Sequence, residues 1–269
     1  MQSLAYSDFT ASALKRFAER DAIVIVPLGA TEQHGPHLPV MVDTRLVTEA
    51  ALRTARKLDM RKVPVLVTPT IWMGFSEHHM ELGGTITIDF ATFHGLVRGV
   101  VRSLVRGGFR RICLLNGHGG NIAPLTVVVS EISVELHVPL VTLCYFEMAP
   151  EVMREILEHQ TSTLHACESE TSMMMATEPD LVQGNRLAEA SGPDADRPEI
   201  EAIVGPHIFR WQALNARARN GVIGAGWAAT PEKGERLLDA QSTAIADALG
   251  NDALWTTLAS EQWTYSPKS

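Results

Sequence analysis

The chain has 269 residues, 45% of them hydrophobic and 20% charged, and a formal net charge of −8 at pH 7. These values are typical of a globular protein and exclude a disordered, collagen-like or coiled-coil chain. Because the balance is acidic and no basic stripe is present, we expect no nucleic-acid partner.

The first residues of the chain and its cysteines predict the cellular compartment of the protein. Residues 1–10 are polar and mixed, unlike a signal peptide, and no run of about 18 apolar residues is present. The three cysteines are Cys113, Cys144 and Cys167. A low, odd count without CxxC spacing is typical of a reducing compartment. We therefore expect a cytoplasmic protein with no membrane partner.

Apolar runs alternate with amphipathic segments along most of the chain. Runs rich in Ile and Val predict strands, and apolar residues every three to four positions predict helices. The expected strands cover residues 22–29, 63–68, 84–88, 111–116 and 139–146. The expected helices cover residues 44–58, 90–105, 123–136, 168–177 and 231–249. Strands separated by such helices indicate an α/β fold with a mostly parallel sheet covered on both faces.

The first polar cluster follows the first expected strand, at the end where parallel sheets bind ligands. It reads GATEQHGPHLP over residues 29–39 and continues to Asp43. Glu32 and His34 are two apart, so in an extended segment their side chains share a face. Carboxylate and imidazole ligands suit Zn²⁺, Mn²⁺ or Fe²⁺. Asp43 either caps the following helix or turns toward the cluster and bridges two ions.

The second polar cluster is NGHGGN, residues 116–121, directly after another expected strand. Three glycines around His118 let the backbone turn tightly and approach a ligand or ion. The alternative is a glycine-rich phosphate loop, but the Lys and the GxGxxG spacing of such loops are absent.

The third cluster is HACESETS, residues 165–172, which leads into an expected helix. Two acids at a helix start are favourable through the helix dipole alone. The alternative is that His165 and Glu170 face the metal cluster as base and ligand.

The fourth stretch is WMGFSEHH, residues 72–79, in an expected loop between strands. Aromatic and imidazole side chains in such a loop suit the wall of a substrate pocket, and an ordinary surface loop is the alternative. The candidate substrate-binding side chains are Trp72, Ser76, Glu77 and His78.

Taken together, these motifs resemble those of the creatininase (creatinine amidohydrolase) family. The matching pieces, in the family's order, are PLGATEQHGPHLP with Asp43, GGTITI, NGHGGN, HACESETS and GVIGAGWAATPEKGERLL. The resemblance implies a three-layer α/β/α fold in a single domain, residues 1–269. It also implies two divalent metal ions (Zn, Mn or Fe), hydrolysis of a non-peptide C–N bond in a small-molecule amide, and a homohexamer.

The resemblance assigns roles to individual residues. Its implied metal ligands are Glu32 for one ion, His34 for the other, Asp43 bridging both, and His118 as a further ligand. His165 resembles the family's catalytic histidine, and Glu170 matches a family glutamate at the same site.

One departure from the family lies in the NGHGGN loop. Creatininase reads His-Tyr-Glu there, and its glutamate is a metal ligand, whereas this chain has Gly120. We expect Glu170, with Glu168 as the second candidate, to supply the missing carboxylate. Gly119 and Gly120 are expected to border the substrate.

Three functions stay open at this point. The leading one is an amidohydrolase that cleaves a cyclic amide or formamide. The others are a peptide-processing member of the same family and a metal- or ligand-binding protein without catalysis.

Overall fold

A parallel four-stranded sheet lies at the centre of the protein. The computed structural model describes residues 3–192 and 210–256. Its strands are β1 (Ile23–Leu28), β2 (Val65–Val67), β3 (Arg111–Asn116) and β4 (Leu140–Cys144), in the order β2-β1-β3-β4. The register pairs Val24 of β1 with Leu66 on one side and Ile112 on the other. These strands confirm four of the five expected from sequence.

Helices connect and cover the strands. The α-helices are α1 (Ala11–Glu19), α2 (Val42–Met60), α3 (Phe90–Arg106), α4 (Ile122–Leu136), α5 (Pro150–Ile156), α6 (Glu168–Thr177) and α7 (Pro231–Leu249). Short 3-10 helices span Tyr6–Asp8, Glu77–Leu82, Gly119–Asn121, Tyr145–Glu147, Pro179–Leu181, Gly184–Glu189, Leu214–Ala216, Gly226–Ala228 and Asp252–Trp255. Among the described residues, none of the helices has the length and apolarity needed to cross a membrane.

The two faces of the sheet carry separate hydrophobic cores. Because side chains alternate along a strand, Ile23 and Ile25 face one core and Val24 and Val26 face the other. Side chains of α2, α5, α6 and α7 fill the first core, and side chains of α1, α3 and α4 pack on the second. The three-layer α/β/α fold expected from the resemblance is therefore confirmed.

The expected strand over residues 84–88 is wrong. Ile86 forms only an isolated antiparallel bridge with Thr31 and does not join the sheet. Gly83 and Gly84 have φ angles of 77° and 66°, so the backbone turns just before this segment instead of running straight into it.

Helices α1 and α5, with nine and seven residues, are not among the helices expected from sequence. Helix α1 begins after Thr10, whose side chain accepts a hydrogen bond from the Ala13 N–H and caps it. Its Leu14 and Phe17 pack on the second core. Helix α5 begins at Pro150, a favourable first helical residue.

Helices α6 and α7 are closely packed at Gly234. A methyl group there would overlap the backbone carbonyl of Ser172 in α6. We expect Gly234→Ala to lower the free energy of unfolding by ~1–3 kcal/mol through overpacking, measured by urea denaturation. Gly99→Ala in α3 is the control: nothing lies within 4 Å of its added Cβ. In Gly99→Ala, alanine forms helix better than glycine, so the free energy of unfolding should stay unchanged or rise by up to ~1 kcal/mol. Equal effects in both variants would contradict the close packing at Gly234.

Candidate metal centre

A cluster of buried carboxylates and imidazoles lies at the carboxyl end of the sheet. Glu32 and His34 follow β1, and His118 follows β3. Asp43 and Glu170 lie in the first turns of α2 and α6. All five residues are 6% exposed or less. Segments distant in the chain thus place their titratable groups together.

Asp43 lies between the two imidazoles of this centre. Its Oδ1 is 3.1 Å from His34 Nε2, and its Oδ2 is 2.9 Å from His118 Nδ1. Glu32 Oε2 lies 3.3 Å from the same His118 nitrogen, and Glu170 Oε1 lies 3.8 Å from His34 Nε2. Helix α2 begins at Val42, with Met41 as its N-cap, so the capping alternative for Asp43 is wrong.

The atoms that face one another in this centre are hydrogen-bond acceptors. The partner of His34 Nδ1 is the backbone carbonyl of Glu32 at 3.1 Å, so Nδ1 donates and Nε2 keeps its lone pair. His118 Nε2 is likewise 3.2 Å from the carbonyl of Phe75, which leaves a lone pair on Nδ1. No hydrogen-bond partner satisfies Glu32 Oε2, His34 Nε2 or Asp43 Oδ2 among the described residues. Buried acceptors that converge without a donor fit divalent cations between them.

Three groups of residues can each hold an ion, with one ligand atom per residue and all atoms of a group within 4.8 Å of one another. These groups are His34 with Asp43 and Glu170; Glu32 with His34 and His165; and Glu32 with His78 and His118.

The electrostatics of the centre favour a positive charge. Burial opposes protonation of His118, but the carboxylates of Glu32 and Asp43 outweigh it and raise its pKa to about 10. Asp43 has the same effect on His34, whose pKa is also raised against burial. For Asp43, burial acts to raise the pKa, yet His34 and His118 bring it below its ordinary value. Without an ion, these carboxylates therefore favour a proton on each of the two imidazoles, and a divalent cation bound at the centre would replace that proton.

His165 lies beside the centre as a neutral base. Its Nε2 lies 2.7 Å from the Gln33 backbone carbonyl and 3.0 Å from Gln33 Nε2, and its Nδ1 lies 3.6 Å from Glu32 Oε1. Burial and the neighbouring His34 lower the pKa of His165 well below its ordinary value. The structure therefore places this candidate catalytic residue against the centre, with Nδ1 on the side of Glu32.

Sequence reasoning does not select Gln33 or His79, which the structure adds to the centre. The Gly35 N–H donates to Gln33 Oε1 at 2.9 Å, which fixes the amide so that Gln33 Nε2 donates to His79 Nδ1 at 3.0 Å. The other nitrogen of His79, Nε2, then carries the proton and lies 3.3 Å from Glu32 Oε1. Gln33 and His79 thus orient the Glu32 carboxylate.

The prediction of Glu168 as the second candidate to supply the missing carboxylate is wrong. The Glu168 oxygens accept the backbone N–H groups of Glu158 at 3.1 Å and His159 at 3.0 Å, and Lys233 Nζ at 2.7 Å. Glu168 is fully buried in these contacts, between α6 and α7. Glu170 is the acid of this helix that reaches the centre.

The expected substrate-binding residues fall into two sets. Ser76 is buried, with Oγ 3.1 Å from His118 Nε2, and His78 and Gly120 lie beside the same imidazole. Other members of the expected set, Trp72, Glu77 and Gly119, are exposed. Within the described ranges, the Trp72 and Glu77 side chains form no hydrogen bond or ion pair with the centre.

Fold and centre together define an α/β protein with a candidate two-metal site at the carboxyl edge of its sheet. The chain belongs to the creatininase family: the family model described as creatinine amidohydrolase matches residues 7–249.

Curated relatives differ in what they act on. The chain is 30% identical over 250 residues to the creatinine amidohydrolase of Pseudomonas putida, covering 87% of this chain and 91% of the relative. It is also 30% identical over 237 residues to the mycofactocin precursor peptide peptidase of Mycobacterium tuberculosis, covering 86% of this chain and 85% of the relative.

Solved structures of creatininase share this fold. A crystal structure of creatinine amidohydrolase superposes with a TM-score of 0.79 at 28% identity, covering 93% of this chain and 98% of that one. A manganese creatininase gives a TM-score of 0.78 at 28% identity, with coverage of 92% and 98%. A mutant creatininase of the Zn-Zn type gives 0.77 at 29% identity, with coverage of 93% and 98%.

Proposed function

We propose that this protein is a metal-dependent amidohydrolase that cleaves a non-peptide C–N bond in a cyclic amide or formamide. Its family contains hydrolases that act on C–N bonds, including an amidohydrolase and a peptidase. The observation that carries the proposal is the set of buried acceptor atoms without a donor on Glu32, His34 and Asp43. Together with Glu170 and His118, these residues form a ligand set for two divalent ions, with zinc, manganese and iron as the candidates.

The chain's own groups supply the remaining chemistry. When bound, the metal pair supplies Lewis acidity and a water activated for attack at neutral pH. His165, a neutral imidazole, would take up on Nδ1 the proton released by the attacking water and transfer it to the leaving nitrogen. The exposed loop around Gly119 offers backbone N–H groups to the oxygen that gains charge during attack.

Removal of metal tests this function directly. We expect about two ions per chain by elemental analysis and turnover on a panel of lactams and formamides. Exhaustive chelation should reduce that turnover to below ~1%, because the Lewis acid and the activated water are lost, and added Zn²⁺, Mn²⁺ or Fe²⁺ should restore it. Full activity in chelated protein that contains no metal would overturn the proposal.

The same assay separates two other functions. Peptide processing is supported by the mycobacterial peptidase relative, and turnover of short peptides without turnover of lactams or formamides would favour it. A binding protein without catalysis is supported by Gly120, which offers no side-chain ligand, and predicts close to one ion per chain with no turnover on any of these substrates.

The homohexamer, the cytoplasmic location and the absence of nucleic-acid and membrane partners stay predictions from the sequence.

A further inference from the structure

We propose that the imidazole of His78 is itself a metal ligand in this protein, beside Glu32 and His118, and occupies the region that a longer side chain at position 120 would need. This inference rests on the proposed function, because it requires a metal in the centre. It reassigns His78 from the substrate wall to the ligand set.

The position of His78 places it within reach of an ion. One ring nitrogen of His78, one of His118 and a carboxylate oxygen of Glu32 lie within 4.8 Å of one another. The two imidazoles are stacked, with ring centroids 5.8 Å apart and an interplanar angle of 17°.

The bonding of His78 differs from that of its neighbour His79. Both nitrogens of His79 are engaged, by Gln33 and by Glu32. Within residues 3–192 and 210–256, no hydrogen bond or ion pair engages either nitrogen of His78. A half-buried imidazole with two unengaged nitrogens beside a carboxylate has the lone pair that a metal ligand requires.

The space around Gly120 explains why His78 can take this position. An added Cβ there would overlap the Phe75 carbonyl oxygen and His118 Nε2 and would lie 2.9 Å from Cε1 of His78. The loop that carries Phe75 and His78 therefore fills the region into which a side chain at position 120 would extend. In this arrangement a ligand from position 120 and a ligand from position 78 exclude each other. This chain has glycine at position 120, so the ligand it offers is His78.

The test uses His78→Phe in the full-length, zinc-loaded protein. Phenylalanine keeps a ring against His118 but has no lone pair, so the variant should fold as the wild type does. We expect the affinity for one of the two ions to fall ~100-fold or more, measured by competition with a chromogenic chelator. X-ray absorption at the zinc edge should show one imidazole fewer per two ions.

Two further variants complete the test. His94→Phe replaces a histidine that pairs with Glu131 between α3 and α4, and it should leave affinity and imidazole count unchanged. His78→Glu supplies a ligand oxygen from the same position and should recover most of the affinity. Unchanged affinity and imidazole count in His78→Phe would overturn this inference and leave the proposed function intact. A wild type that binds no metal would overturn both.

Discussion

Asp43→Asn should keep the protein folded and deprive it of metal and of turnover. Asp43 is the carboxylate that lies within 3.1 Å of both central imidazoles, one oxygen toward His34 and the other toward His118. An amide has one acceptor oxygen and no charge, so it could serve as a ligand to only one of the two ions and would attract both less strongly. We expect kcat/KM to fall by ~10³-fold or more, which corresponds to several kcal/mol of lost transition-state stabilisation.

Elemental analysis and a steady-state assay on the same preparations measure both effects. Asp59→Asn is the matched control, because Asp59 lies on the same helix α2 with an exposed side chain. The control should retain the metal content and rate of the wild type. If Asp43→Asn kept two ions per chain and full activity, Asp43 would not bridge the centre.

Lys233→Met should destabilise the fold by ~3–5 kcal/mol, because it leaves a buried carboxylate without its counter-charge. Glu168 has no exposed surface, and the Lys233 ammonium lies 2.7 Å from its Oε1. Methionine retains the length and the apolar stem of lysine, so the loss reports the missing charge more than a cavity. Urea denaturation monitored by circular dichroism gives the free energy of unfolding.

A surface pair and a double variant provide the controls for this prediction. Lys57 lies 2.6 Å from Asp239, whose side chain is 67% exposed, so Lys57→Met should cost ~1 kcal/mol or less. Combining Lys233→Met with Glu168→Gln removes both charges and should recover part of the lost stability. Equal losses in Lys233→Met and Lys57→Met would contradict a stabilising role for the buried pair.

The central strands were predictable because both their faces are buried. A strand in such a sheet shows a continuous run of Ile, Val and Leu, as residues 23–28 and 111–116 do. The segment 84–88 has similar composition but lies outside the sheet. Composition alone does not show whether a partner strand is available. The strand prediction for residues 84–88 is wrong because strand formation depends on tertiary pairing.

The residues of the candidate metal centre were partly predictable from position. Glu32, His34 and His118 follow strands whose carboxyl ends meet at one edge of the sheet, and that rule places them together. The resemblance placed Glu170 ahead of Glu168, but the residues alone did not separate them, because both lie in the first turn of one helix. Residues two apart on a helix point about 200° apart, so only one of them can face the centre, and the packing of α7 decides which.

The contribution of Gln33 was not predictable at all. Its amide orients His79 across 46 positions of the chain, and no local pattern encodes that contact. The contact between Gln33 and His79 depends on the loop conformation, in which the Gly35 N–H holds the Gln33 amide in place.

Because four distant segments converge on the candidate metal centre, an ion bound there would stabilise the folded chain. A ligand that binds only the native state adds RT ln(1 + [L]/Kd) to its stability, so a bound ion acts as a cross-link between β1, α2, β3 and α6. Under the proposed metal dependence, a chain without the ion would open more often and be degraded faster than the metal-loaded chain.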